Sequence, residues 1–270
     1  MEILSSIPDG IILLGAAWLC LTVGSFINVV AYRLPIMMAA ADGEPSMSLS
    51  HPSSHCPHCR SRIPARYNIP IIGYVMARGK CGVCGVSIPI NYLLVEAAVG
   101  VVGVTLLLVH DLTSTGIHAL VCFLGLAAAA AVDHQAKLLP SSILMPVAAI
   151  ALLGAAAGVS GVSAEQAIFG AATGLLICFV ADNAYGYFTR RQGLADGDWR
   201  LCAAIGAIVG PYDLMLALFI ASIAAFGYKL LSKYRTSNQF PFGPPLVLGA
   251  TAVMIYDSTP LINVILGRAS

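Results

Sequence analysis

The chain has 270 residues, 58% of them hydrophobic and only 10% charged, with a formal net charge of +1. Soluble domains carry roughly 25% charged residues, so this composition excludes a disordered chain and argues against an ordinary soluble enzyme. The near-zero charge offers no basic stripe, so no nucleic-acid partner is expected.

Apolar runs of about 20 residues can cross a bilayer, and the chain is built from such runs. They fall at 11–34, 92–109, 117–132, 143–159, 167–188, 201–209, 214–231 and 246–266. The expected fold is an all-α polytopic membrane protein with about eight transmembrane helices. Residues 1–10 lack the positive charge that opens a secretory signal, so the first run reads as a retained helix. The run 201–209 is too short to span a core of about 30 Å as a straight helix. It either crosses as a short helix or merges with its neighbour through Gly210-Pro211.

Charge placement favours separate crossing. With eight spans, the loops 35–91, 133–142, 189–200 and 232–245 share one side. Every lysine and arginine except Arg268 then lies in or beside them. The positive-inside rule makes that side cytoplasmic. Merging the sixth and seventh runs would scatter the charge.

The first long loop contains Cys56-Pro-His-Cys59 and Cys81-Gly-Val-Cys84. Two such pairs about twenty residues apart have the spacing of a structural zinc ribbon. Cys56, Cys59, Cys81 and Cys84 are therefore the expected zinc ligands, in a small cytoplasmic zinc-ribbon-like insertion between helices 1 and 2. A reducing cytosol argues against disulfides. The nearby Arg60, Arg78 and Lys80 favour thiolates. His55 and His58 are spare donors that four cysteines make unnecessary. Cys20, Cys122, Cys178 and Cys202 lie in apolar runs and read as small packing residues.

Two aspartates stand where apolar runs meet basic loops. Asp133 ends the third run and Asp198 lies in Gly193-Leu-Ala-Asp-Gly-Asp-Trp-Arg200. Ionisable groups at membrane depth are costly and point to function. Two carboxylates in one site can divide acid and base roles and activate water. Asp198 is expected at a helix start and Asp133 at a helix end, so opposed dipoles would separate their proton affinities. Residues alone leave rivals open. Asp196 neighbours Asp198, and Asp182 reads better as a polar residue bonded to a neighbouring helix. Asp257 reads as structural, and Glu96 as either structural or part of a binding cleft. The bland alternative for Asp133 and Asp198 is a pair of interfacial residues that cap helix ends.

Further motifs carry a resemblance. Gly24-Ser-Phe-Ile-Asn-Val-Val-Ala-Tyr-Arg-Leu-Pro35, Ser54-His-Cys-Pro-His-Cys59, Asn68-Ile-Pro-Ile-Ile-Gly-Tyr74, Arg78-Gly-Lys-Cys-Gly-Val-Cys84, Tyr92-Leu-Leu-Val-Glu96 and Pro241-Phe-Gly-Pro-Pro245 span nearly the whole chain. Together they resemble the bacterial type IV prepilin peptidases, bifunctional leader peptidases and N-methyltransferases. The resemblance implies that Asp133, before Leu139-Pro140, and Asp198, in a Gly-x-Gly-Asp element, are the catalytic pair. It thereby favours Asp198 over Asp196. It also implies cleavage of prepilin or pseudopilin leaders after glycine, and methylation of the new N-terminus from S-adenosylmethionine. No Gly-rich nucleotide loop marks the residues that hold that cofactor.

The implied organisation has two parts. Residues 1–110 are methyltransferase-associated, and residues 111–270 form a transmembrane aspartic peptidase domain. The implied location is the bacterial inner membrane, with the active site facing the cytoplasm. This chain departs from the family pattern at Ala195, which replaces the first glycine, at Ser141, where aspartate is usual, and at Arg200, where lysine is common. Two other readings fit the residues: an intramembrane aspartic protease with another substrate, and a non-catalytic zinc-knuckle scaffold.

Overall fold

The computed structural model describes residues 9–40, 47–190, 193–231 and 241–256. Among these residues, regular structure is entirely helical. The elements are α1 (Asp9–Ala39), a 3₁₀ turn (Ala65–Asn68), α2 (Ile72–Met76), α3 (Asn91–Val109), α4 (Ser114–Ala136), α5 (Ser141–Ala156), α6 (Ala164–Thr189), α7 (Asp196–Leu231) and α8 (Gly243–Tyr256). Five of them, α1, α3, α4, α6 and α7, are long and apolar enough to cross a membrane, while α5 and α8 are shorter apolar helices. Leu14, Trp18, Phe169, Leu176, Phe219 and Phe226 are each more than half exposed. Apolar surface on that scale is a liability in water and is the ordinary exterior of a protein in lipid. The last apolar run is helical to Tyr256, and its remainder lies outside the described residues.

The chain divides into two compact units, Met1–Val104 and Thr105–Ser270. In the first, α1 and α3 run antiparallel at close range. A Cβ on Gly24 would lie 3.0 Å from the Glu96 Cα and 3.1 Å from the Val99 Cβ. Four residues on, Asn28 donates to the Tyr92 carbonyl at 3.0 Å. Small residues let membrane helices approach this way, and a polar side chain then bridges them. At the end of α1, the buried Arg33 donates to the carbonyls of Ser48, Leu49 and Pro52 at 2.9, 3.2 and 2.7 Å. Backbone oxygens thus satisfy a buried cation and fasten the loop to the helix.

The second unit is a bundle of α4 to α8. Its tightest contact joins α6 to the first part of α7, where backbones meet without side chains between them. A Cβ on Gly170 would overlap the Gly206 carbonyl, and one on Gly206 would overlap that of Gly170; Gly174 stands likewise against Cys202. Residues 170 and 174 therefore face 206 and 202, which is an antiparallel register. The four-residue spacing of small residues keeps one narrow stripe facing the partner helix.

Gly210 ends that stripe with φ 81° and ψ 174°, a conformation open to glycine, and Pro211 follows it inside α7. Two contacts show that the chain turns back there. Gly197 packs on Leu139, where a Cβ would lie 2.5 Å from the Leu139 Cβ. Tyr228 places its hydroxyl 3.5 Å from the Nδ1 of His134. A straight helix would put residues 197 and 228 about 46 Å apart at 1.5 Å per residue, yet both lie against the last turn of α4 or the segment just after it. The apolar runs 201–209 and 214–231 are thus two arms of a folded-back element, not one continuous rod.

The α6–α7 contact yields a stability prediction. Gly170→Ala places a methyl group on the Gly206 backbone and is expected to cost about 1–3 kcal/mol through overpacking. Gly15→Ala, at a site with nothing within 4 Å, is expected to be neutral. Thermal unfolding of both variants in detergent checks the contrast.

Candidate active site and metal centre

Asp133 lies one turn before the end of α4 and is 6% exposed. Its Oδ2 accepts the N–H of Gly243 at 2.7 Å. Gly243 opens α8, where the first N–H groups of a helix have no partner within the helix. The next two residues, Pro244 and Pro245, have no N–H at all. The carboxylate of Asp133 therefore caps α8. A side chain at 243 would crowd it, since a Cβ there would lie 2.9 Å from Oδ2. In the sequence, the place of Gly243 between a phenylalanine and two prolines is the one signal of this role.

Asp198 lies in the first turn of α7 and is partly buried. Its Oδ2 accepts the N–H of Ala195 at 2.9 Å, and its own N–H donates to the Ala195 carbonyl at 2.9 Å. Each carboxylate thus spends one oxygen on a backbone N–H. The packing of Gly197 on Leu139 brings the two segments together. The expectation that opposed dipoles separate the pair needs correction. Asp133 does lie near the C-terminus of its own helix, but it also meets the N-terminus of α8. Both carboxylates are therefore associated with a positive helix end.

The rival acids are elsewhere. Asp196 is exposed. Asp182 accepts from the loop before α7, at Gly193 and Leu194, and not from a neighbouring helix. Glu96 is buried in the first unit and accepts the N–H of Ile71 at 2.7 Å. Asp257 lies outside the described residues.

The four cysteines do converge. The Sγ atoms of Cys56, Cys59, Cys81 and Cys84 all lie within 4.8 Å of one another. Cys56 to Cys84 and Cys59 to Cys81 are each 3.9 Å. Sulfurs at about 2.3 Å from one tetrahedral zinc stand about 3.8 Å apart, so the donor set fits that ion.

Two matching turns build the cluster. After each Cys-x-x-Cys, a residue with positive φ returns its N–H to the first cysteine's carbonyl: Arg60 to Cys56 at 2.8 Å and Gly85 to Cys81 at 2.9 Å. Single bridges, His55 with Arg62 and Lys80 with Ser87, close the turns. No strand forms among the described residues, so the ribbon reduces to two bridged knuckles. The backbone N–H groups of Cys84 and Val83 lower the Cys81 thiol to about 6. The Ser61 hydroxyl, 2.9 Å away, lowers Cys59. The Val86 N–H favours the Cys84 thiolate, but burial and the neighbouring sulfurs push that thiol up to about 11. His55 turns to the Ser53 carbonyl at 2.9 Å and stands outside the cluster.

Residues 18–110 match the model of the bacterial peptidase A24 N-terminal domain, and residues 120–230 match that of the type IV leader peptidase family. A prepilin leader peptidase/N-methyltransferase of Dichelobacter nodosus is 33% identical over 270 residues, covering 93% of each chain. The chain belongs to the type IV leader peptidase family. A Dickeya chrysanthemi prepilin leader peptidase/N-methyltransferase is 35% identical over 90% of this chain and 92% of its own. An Escherichia coli type 4 prepilin-like proteins leader peptide-processing enzyme is 34% identical over 87% and 90%. No solved structure matches.

Two of the expected departures from the family pattern make little structural demand. Ala195 supplies a backbone N–H that any residue has, and Ser141 simply opens α5. For the knuckle, the purified protein is expected to carry one zinc per chain. Cys56→Ser combined with Cys84→Ser should reduce bound zinc at least tenfold when metal is measured by mass spectrometry.

Proposed function

We propose that the chain is a prepilin leader peptidase and N-methyltransferase of the bacterial inner membrane. It would cleave prepilins or pseudopilins after the leader glycine and then methylate the new N-terminus. The supporting observation is similarity over about nine-tenths of the chain to relatives of that name, in a chain whose Asp198 segment packs beside the Leu139 that follows the Asp133 helix.

In this reading Asp133 and Asp198 are the catalytic pair. One carboxylate takes a proton from water as the water oxygen attacks the carbonyl carbon of the leader glycine. The other, protonated, donates to the carbonyl oxygen. Collapse of the tetrahedral species breaks the C–N bond, the proton taken from water passes to the leaving amine, and one hydroxyl of the intermediate returns its proton to the other aspartate. The products are the leader's carboxyl group and a free N-terminal amine. Because Oδ2 of each aspartate holds a backbone N–H, the Oδ1 atoms are the ones left for water and substrate. No covalent intermediate is required.

The proposed topology has eight crossing segments, with the two arms of α7 crossing separately. The aspartate end faces the cytoplasm, where Lys137, Arg190, Arg200 and Lys229 lie. The substrate's apolar helix would lie in the bilayer beside the bundle, and its basic leader would be drawn to the acidic pair.

The domain division proposed is 1–110 for the methyltransferase-associated part and 111–270 for the peptidase. Cys56, Cys59, Cys81 and Cys84 would hold a structural zinc. S-adenosylmethionine supplies the methyl group when bound.

Asp133→Asn and Asp198→Asn are each expected to reduce leader cleavage by about 10²–10⁴-fold without preventing membrane insertion. Incubating the variants with a prepilin and S-adenosylmethionine, then weighing the products by mass spectrometry, checks this. Cleavage at the normal rate by either variant would contradict the assignment.

A further inference from the structure

The loop that delivers Asp198 is held from outside by a residue the motifs do not include. In the antiparallel register of α6 and α7, residue 174 faces 202, so the level of Asp198 is reached near residue 178 of α6. The Phe179 and Trp199 rings, 6.0 Å apart, mark the same level. α6 does not stop there. It continues to Thr189, about 16 Å further at 1.5 Å per residue, and the chain must return along this extension to start α7.

Asp182 lies one turn into the extension. Its Oδ1 accepts two consecutive N–H groups of the returning chain, from Gly193 at 2.8 Å and Leu194 at 3.0 Å. The next N–H, of Ala195, goes to Oδ2 of Asp198 at 2.9 Å. Three consecutive amides are therefore divided between two carboxylates. The first two fix the loop to α6, and the third fixes the side chain of Asp198. One turn along α6, Tyr185 covers Gly193 so closely that a Cβ there would lie 2.8 Å from the ring.

Successive N–H groups that converge on one anionic oxygen form a short, directional clamp. The peptide planes of residues 193 and 194 are set by Asp182, and they set the direction of the Ala195 N–H. Without the clamp, that N–H would be free to swing, and the Asp198 carboxylate would swing with it. Ala195 occupies a position where the family pattern has glycine, and here its N–H orients the aspartate.

We propose that Asp182 is a positioning residue for leader cleavage: it holds the 193–194 amides so that Ala195 orients the carboxylate of Asp198. The inference rests on the proposed catalytic role of Asp198. Only the geometry of an acceptor oxygen is required, not its charge. Asparagine keeps such an oxygen with two lone pairs, and alanine does not.

The test uses the full-length protein in detergent with a prepilin substrate. Asp182→Ala is expected to lower kcat about 10- to 100-fold, as a misplaced catalytic group does, with KM within about threefold because the substrate's helix and leader bind elsewhere. Asp182→Asn is expected to keep kcat within about threefold of the unchanged protein. Both variants should methylate an already cleaved pilin at the normal rate, which shows that the chain is folded.

Cleavage at the unchanged rate by Asp182→Ala, or equal loss in both variants, would overturn the proposal. Loss of methylation together with cleavage in Asp182→Ala would mean general misfolding and would also overturn it. Asp198→Asn run alongside separates the two layers: normal cleavage by that variant defeats the catalytic assignment itself, whatever Asp182 does.

Discussion

The aspartate end of the second unit depends on α7 folding back at Gly210. The first arm lies against α6 with backbone touching backbone at Gly170, Gly174, Cys202 and Gly206. The second arm lies against α8, where Gly249 makes the same kind of contact with Ala217. In lipid, side chains gain nothing by leaving the solvent, so helices associate through such close packing and through hydrogen bonds. A bulky residue in either stripe would force the arms apart. The segment 197–198 would then leave Leu139, and the two carboxylates would no longer share one end of the bundle.

Given that frame, the polar chemistry is economical. Among the described residues, the bonds that hold the site together run mainly from backbone N–H groups to carboxylates. Gly243 bonds Asp133, Ala195 bonds Asp198, and Gly193 and Leu194 bond Asp182. Buried polar groups must find partners, and helix starts supply N–H groups that need acceptors. The same bonds that satisfy α8 and the loop before α7 therefore orient the acids. The first unit follows similar rules. Arg33 and Glu96 are buried charged residues that bond to backbone carbonyls and to a backbone N–H, and they tie the cysteine-bearing loop to its two helices.

Much of this was legible in the sequence, for physical reasons. Long apolar runs announce membrane helices because a helix satisfies every backbone polar group within one segment, and paired cysteines announce a metal because their spacing sets the turn. The two knuckles need no strands, however, since one bridge closes each turn, and composition could not say so. The short run 201–209 was ambiguous because hydropathy reports burial in lipid and not direction. Gly210-Pro211 carried the turn, and only the contacts of Gly197 and Tyr228 show that the chain reverses. The second helix end at Asp133 is hidden for a related reason: a residue's own helix is visible in sequence, while the helix it meets, here α8 with Gly243, is not. Asp182 reads from sequence as bonded to a neighbouring helix, but its partners are two amides of a loop eleven and twelve residues away.

The fold-back at Gly210 is tested most directly by cross-linking. His134→Cys combined with Tyr228→Cys would be treated in membranes with a short bismaleimide, and the joined peptides identified by mass. An efficient intramolecular link is expected, and none when Thr115→Cys, at the opposite end of α4, replaces His134→Cys. A pair at positions 134 and 228 that does not link, while 115 and 228 do, would mean that α7 does not return to the aspartate end. The fold-back would then not bring Asp198 to the Asp133 end of the bundle.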